Sequence, residues 1–242
     1  MILSRLTTVR TNLTAWVRDY AYAVRWQADG AVNQADPQAY RRRDSAKPAI
    51  VLLPGIYESW TFMLPVANVL RDHGYDVHAV TELGYNGGTL EEMALVVDRY
   101  LRREQIERCV LVGHSKGGLI GRLLLAQHHQ SAVIHGLVAV NTPFDGSPLA
   151  RLLPLPALRV FLPHSPELAE LAELSTSRDV DRNIVSIYGR FDPHIPGGSR
   201  LDGAHNVQLG TRGHFRPLSD RQVHRAILEG IELLTSARGD AA

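Results

Sequence analysis

The sequence predicts an α/β fold, a mainly parallel, doubly wound sheet of about six strands with helices on both faces. Three observations predict it. Strand-like and helix-like segments alternate along most of the chain. The strand candidates are short continuous apolar runs, the pattern of strands buried on both faces, rather than the in-out alternation of a half-solvated sheet. Several of these runs end in Gly- or Pro-bearing turns that lead into the next helix. The bulk composition agrees with one globular domain, with 242 residues, 45% of them hydrophobic and 21% charged.

The elements follow in order. Residues 13–27 carry Trp16, Tyr20, Ala23 and Trp26 at helical spacing, and a polar linker then runs to Lys47-Pro48. Residues 49–53 form a buried strand stopped by Pro54-Gly55. A helix over 62–73 ends at Gly74, and a second strand covers 76–80. Thr89 and Glu92 form a capping box that opens a helix to about residue 104. The third strand is 109–112, the next helix 116–127, and the fourth strand 133–140. Two further strands, 184–188 and 206–209, and a closing helix over 221–236 complete the pattern. Between Asn141 and Asn183 lies an insertion rich in Leu and Pro, longer than an ordinary connection. Ser165 can cap a helix there, Pro166 suits its first turn, and Leu168, Leu171 and Leu174 recur along one side. The expectation is a helical cap over the carboxyl edge of the sheet, with packing against the domain as the competing account of the leucines.

Composition excludes several classes of function. A net charge of +1, from 26 basic and 25 acidic residues with no face or tail concentrating it, argues against a nucleic-acid partner. The one run of like charge, Arg41 to Arg43, reads as a solvated linker. The single Cys109 falls in an apolar run, so a buried, inert thiol is expected and a disulfide-stapled fold is excluded. Arg5, Arg10 and Arg18 interrupt the N-terminal apolar residues before the roughly 7 to 15 that a signal peptide requires, and no run approaches the roughly 18 of a membrane span. The expectation is a cytoplasmic protein without a transmembrane segment. No metal-ligand, calcium-loop or phosphate-loop spacing is present, so no cofactor is implied.

The chemistry is carried first by Gly113-His114-Ser115-Lys116-Gly117, a G-x-S-x-G sequence running from a buried strand into a helix. Small residues on both sides let Ser115 occupy a strained turn with its hydroxyl raised above the sheet. A serine hydroxyl needs a base, and that base needs an orienting acid; in this arrangement they follow in the order Ser, Asp or Glu, His, each after a later strand. Asp192, on the loop after strand 184–188, is the acid, with Asp145 as runner-up. His214, on the loop after the last strand, is the base. His205 precedes its strand, His128 and His129 end a helix, and His194 is so close to Asp192 that a separate role, or none, is expected. Two backbone N–H groups can stabilise an oxyanion, those of Lys116 and of Ile56 after Pro54-Gly55. Among 26 basic residues only Lys47 and Lys116 are lysine. The Lys116 ammonium is expected either to pair with a carboxylate of the cap or of an acidic substrate, or to be solvated.

Together these residues resemble the α/β-hydrolase superfamily, and the C-terminal third is similar to small bacterial triacylglycerol lipases. Ser199-Arg200-Leu201-Asp202-Gly203-Ala204, Asn206-Val207-Gln208, Gly213-His214 and the helix from near Gln222-Val223 carry the likeness. With the serine turn, Asp192 and Pro54-Gly55-Ile56 it spans roughly residues 49–234. The departures are Pro54, where those lipases usually carry His, Lys116, where they carry an uncharged residue, and the inserted cap. The resemblance implies an α/β-hydrolase fold at residues 49–242, with the cap at 141–183 and an N-terminal helix and linker at 1–48. It also implies a cofactor-independent serine esterase or lipase with Ser115, Asp192 and His214 as triad and Ile56 and Lys116 as oxyanion donors. The Leu- and Pro-rich insertion, with Phe144 and Phe161, suggests a small-molecule ester with an apolar acyl chain. The same machinery would serve an acyltransferase or thioesterase, and a noncatalytic binding module on this fold is the alternative of another class.

Overall fold

The computed structural model describes residues 14–27, 35–152 and 155–239. The predicted helix start at residue 13, the arginines at 5 and 10, and the insertion's residues 153 and 154 lie outside the described residues. A helix over 14–27 (α1) precedes the sheet. The strands are β1 (Ala49–Leu53), β2 (Val77–Ala79), β3 (Cys109–His114), β4 (Ile134–Val140), β5 (Ile184–Phe191) and β6 (His205–Arg212). The remaining helices are α2 (Leu64–Asp72), α3 (Leu90–Arg103), α4 (Lys116–Gln127), α5 (Pro166–Ser177) and α6 (Arg221–Gly239). The strands form one six-stranded sheet in the order β2-β1-β3-β4-β5-β6, and every pairing is parallel.

The continuous apolar runs have the cause expected of them, since each central strand feeds two cores at once. In β1, Val51 and Leu53 face the layer of α3 and α4, and Ile50 and Leu52 face that of α2 and α6; β3 divides Cys109 and Leu111 from Val110 and Val112 in the same way. Full burial of each such aliphatic side chain stabilises by about 1.5–3 kcal/mol, which fixes the register of the central strands. Cys109 is buried and free, and burial pushes its thiol up to about 12. Helix α3 opens with the Thr89–Glu92 capping box, and α5 with Ser165 Oγ accepting the Leu168 N–H at 3.2 Å.

Several features differ from expectation. The edge strand β6 extends beyond residues 206–209 at both ends because backbone pairing with β5, not apolar character, sets its length. Arg41 is not a solvated linker residue; its guanidinium pairs with Asp76 at 3.0 Å and Glu104 at 2.9 Å, tying the linker to β2 and α3. The inward stripe of α1 is Ala15 and Asp19, buried, with Tyr22, Ala23 and Trp26 half-buried, whereas Trp16 and Tyr20 lie more exposed at its margin. The insertion divides its labour. Leu168 and Leu171 of α5 pack into the core beside α4, while 3-10 turns at Pro148–Leu152 and Pro156–Phe161 cover the carboxyl edge of the sheet. No described helix is long and apolar enough to cross a membrane.

Candidate active site

Ser115 stands between the end of β3 and the start of α4 with φ 52° and ψ −118°, a strained conformation for a residue with a side chain. The flanking glycines allow it. A Cβ on Gly117 would lie 1.9 Å from the Leu53 carbonyl oxygen, and one on Gly113 would lie 2.6 Å from backbone atoms of Gly117 and Gly118. Strand β1 and the turn therefore touch backbone to backbone.

The structure brings Ser115, His214 and Asp192 into one chain. His214 Nε2 is 3.0 Å from Ser115 Oγ, and His214 Nδ1 is 2.7 Å from Asp192 Oδ2. The other Asp192 oxygen accepts the backbone N–H of His194 at 2.7 Å and of Ile195 at 3.1 Å. Burial opposes charge on both partners. For Asp192 it is outweighed by the His214 charge and hydrogen bond and the His194 N–H, which hold the carboxyl below its ordinary range. For His214 it is outweighed by the Asp192 charge and hydrogen bond, then by Glu58 and Asp19, which hold the imidazole above its ordinary value.

Lys116, the first residue of α4, directly follows Ser115, so its N–H is among those a helix start leaves without an intrahelical partner. Ile56 follows Gly55 at the end of β1 and lines the same cavity as Ser115. The Lys116 ammonium meets neither expectation. It is fully buried and donates to the backbone carbonyls of Asn86, at 2.9 Å, and Gly88. Burial lowers it to about 8, with Glu92 opposing. The loop it holds in turn holds the Ile56 segment, because Asn86 Nδ2 donates to Pro54 O at 2.7 Å and Tyr57 N donates to Tyr85 O at 2.7 Å.

The other acid and histidines weighed in the sequence do not join this side-chain hydrogen-bond chain. Asp145 and His205 are exposed, and His128 pairs with Asp98 at 2.9 Å. His194 lines the cavity with its ring tilted 36° to that of His214, centroids 4.7 Å apart; burial, then repulsion from His214, lower it to about 3, so it stays neutral.

Sequence reasoning missed the groups around the His214 loop. Glu58 Oε2 accepts the Gly55 N–H at 2.7 Å and lies 2.9 Å from His114 Nδ1, and His114 Nε2 lies 3.0 Å from the His214 carbonyl oxygen. A carbonyl only accepts, so His114 Nε2 carries a proton. Asn141 Nδ2 donates to the same carbonyl at 2.9 Å. The neighbouring cavity, 360 Å³, falls within the range of small-molecule sites. Phe62, Leu149, Leu155, Leu158, Phe161 and Ile195 give it an apolar wall, much of it from the insertion.

A family model described as the alpha/beta hydrolase family matches residues 50–228, and the chain belongs to that family. RutD of Serratia proteamaculans, named as a carbamate hydrolase, is 31% identical over 102 residues. That match covers 39% of this chain and only 37% of RutD's length. Among solved structures, the mature form of Bacillus licheniformis lipase BlEst2 aligns with a TM-score of 0.57 at 19% identity, covering 78% of this chain and 94% of that one. The enol-lactonase of Burkholderia xenovorans LB400 aligns with a TM-score of 0.55 at 19% identity, covering 79% and 94%. At such identities the likeness to solved structures shows the fold.

Proposed function

We propose that the protein is a cofactor-independent serine hydrolase that cleaves carboxylic esters with an apolar acyl group through an acyl-enzyme. The observation that carries this reading is the Ser115–His214–Asp192 hydrogen-bond chain opening onto an apolar cavity. His214 Nε2 takes the proton of Ser115 Oγ as that oxygen bonds to the acyl carbon, and Asp192 orients the ring and stabilises the imidazolium. The N–H groups of Ile56 and Lys116 hold the oxyanion. His214 returns the proton to the departing alcohol as the carbon–oxygen bond breaks. Water, deprotonated by His214, then releases the acid and restores Ser115.

The lipase, the enol-lactonase and the carbamate hydrolase named above agree with a carbonyl carbon as the centre attacked; the apolar wall favours an acyl ester over a carbamate. Ser115→Ala tests the reading with a fluorophosphonate probe and an ester panel of increasing acyl length. Wild type labels and the variant does not, and turnover falls by roughly 10⁴-fold or more. Folded wild-type protein that neither labels nor turns over any ester sinks the proposal in favour of a binding role.

A further inference from the structure

Helix α1 lies outside the residues the family model matches, yet it reaches the candidate site at three places. Asp19, fully buried, faces the loop after β6: Oδ2 accepts the His214 N–H at 2.8 Å, and Oδ1 accepts those of Phe215 at 2.9 Å and Arg216 at 2.8 Å. Gly213, at φ +114°, makes room for it, since a Cβ there would lie 2.4 Å from Asp19 Oδ1. At the far end of the helix Gln27 Nε2 donates to the Tyr57 carbonyl at 2.6 Å, one residue past Ile56. Between them Ala23 faces the cavity.

We propose that Asp19 is a positioning residue for His214 and that α1 is docked through it so as to hold the loop after β6. The inference rests on the ester-hydrolase reading of the same site. A helix docked only for stability would place an apolar residue at the centre of its buried stripe, because burying a carboxylate is costly. Three convergent N–H donors explain the acid. A carboxylate accepts at both oxygens, whereas an amide has one oxygen and would turn its NH₂ toward a donor. With the His214 N–H held by Asp19 and its carbonyl held by His114 and Asn141, the peptide groups on both sides of the residue are fixed, leaving the ring aimed between Ser115 and Asp192. The Asp19 charge also favours the imidazolium that forms during attack.

The test is Asp19→Asn in the full chain. The expected result is kcat lower by about 10- to 100-fold with KM within about threefold, since the base is misplaced and the cavity kept. The acidic limb of kcat/KM moves to lower pH. Among the described residues the carboxylates facing His214 are Asp192, Glu58 and Asp19, with His194 and His114 as the other titratable neighbours, and removing one negative neighbour makes the imidazolium easier to deprotonate. Amides of residues 214–216 exchange faster. Arg122→Met, which breaks the buried pair with Asp181, controls for lost stability and leaves the limb and these amides as in wild type. A folded Asp19→Asn protein with wild-type kcat, limb and amide exchange overturns the proposal.

Should that variant not fold, the wild type decides. Amides 214–216 and those of α1 exchange through one common opening if α1 holds the loop, and loop amides that exchange while α1 stays protected overturn it. Exchange needs no substrate, so failure of the ester reading, seen as absent labelling and turnover in wild type, is distinguishable from failure of this one.

Discussion

The serine turn and the histidine loop face each other across one hydrogen bond and are held in opposite ways. Ser115 is supported chiefly by its near neighbours, two glycines that remove side chains where backbones touch, the strand behind it and the helix ahead, with one longer link from its N–H to the Val140 carbonyl of β4. His214 is supported by residues far along the chain, Asp19 at a separation of 195 positions, His114 at 100 and Asn141 at 73. A turn can be specified locally because its requirement is steric permission. A histidine's direction cannot, since the loop beyond β6 has no regular ladder to satisfy its peptide groups and takes partners from other elements.

The contrast breaks hardest at Gly117. Gly117→Ala puts a Cβ into the Leu53 carbonyl, and backbone on both sides leaves nowhere to move. A loss of more than about 4 kcal/mol is expected, read as loss of folded protein in thermal melts and of fluorophosphonate labelling. Ready folding of this variant would show that β1 and the turn are less closely bound than their contact implies.

Glu58→Gln probes the histidine side. One carboxylate oxygen serves both the Gly55 N–H and His114, and glutamine removes the negative charge that strengthens both contacts. Denaturant unfolding is expected to show a loss of about 2–4 kcal/mol, with kcat down about tenfold. In wild type His214 titrates above 6.5, so the acidic limb of kcat/KM lies above that value, and Glu58→Gln moves it down. The linked stability has the opposite dependence for the two partners. That from His214 is full below 6.5 and lost as pH rises through its raised value; that from Asp192 is present above 3.8 and lost as pH falls through its depressed one.

The smallest effect belongs to Lys116→Met, which gives up two hydrogen bonds to loop carbonyls but also relieves a buried charge. The net change in stability is expected within about 1 kcal/mol, with turnover falling about two- to fivefold as the Ile56 segment loosens. A fall as large as that of Glu58→Gln would place the lysine side chain closer to the chemistry than its carbonyl partners indicate.

Much of the fold was legible because the central strands pack apolar residues against both layers, and such runs are visible wherever they occur. Cys109 to Val112 and Ile134 to Val140 could be read directly; the ends of β6 could not, because an edge strand pairs through its backbone whatever its side chains. Ser115, Asp192 and His214 could be named as candidates from their places after successive strands. Glu58 and Asp19 could not, since each is a lone acid in an ordinary helix or loop sequence, and only its burial distinguishes it. The histidine preceding Ser115 was a readable hint, as an imidazole beside the turn requires acceptors. Lys116 was conspicuous as one of two lysines, yet its partners are main-chain carbonyls, which carry no sequence signature.

By itself the sequence determined the parallel α/β architecture, the strained turn at Ser115 and the order in which Asp192 and His214 follow it, because hydrophobic period and glycine placement act over neighbouring residues. Only the tertiary structure decided how His214 is aimed, which face of α1 is buried, and that the insertion splits between core helix and cavity wall. Those outcomes depend on satisfying buried hydrogen-bonding groups across the whole chain, and such partners are chosen by proximity after folding rather than by spacing along the sequence.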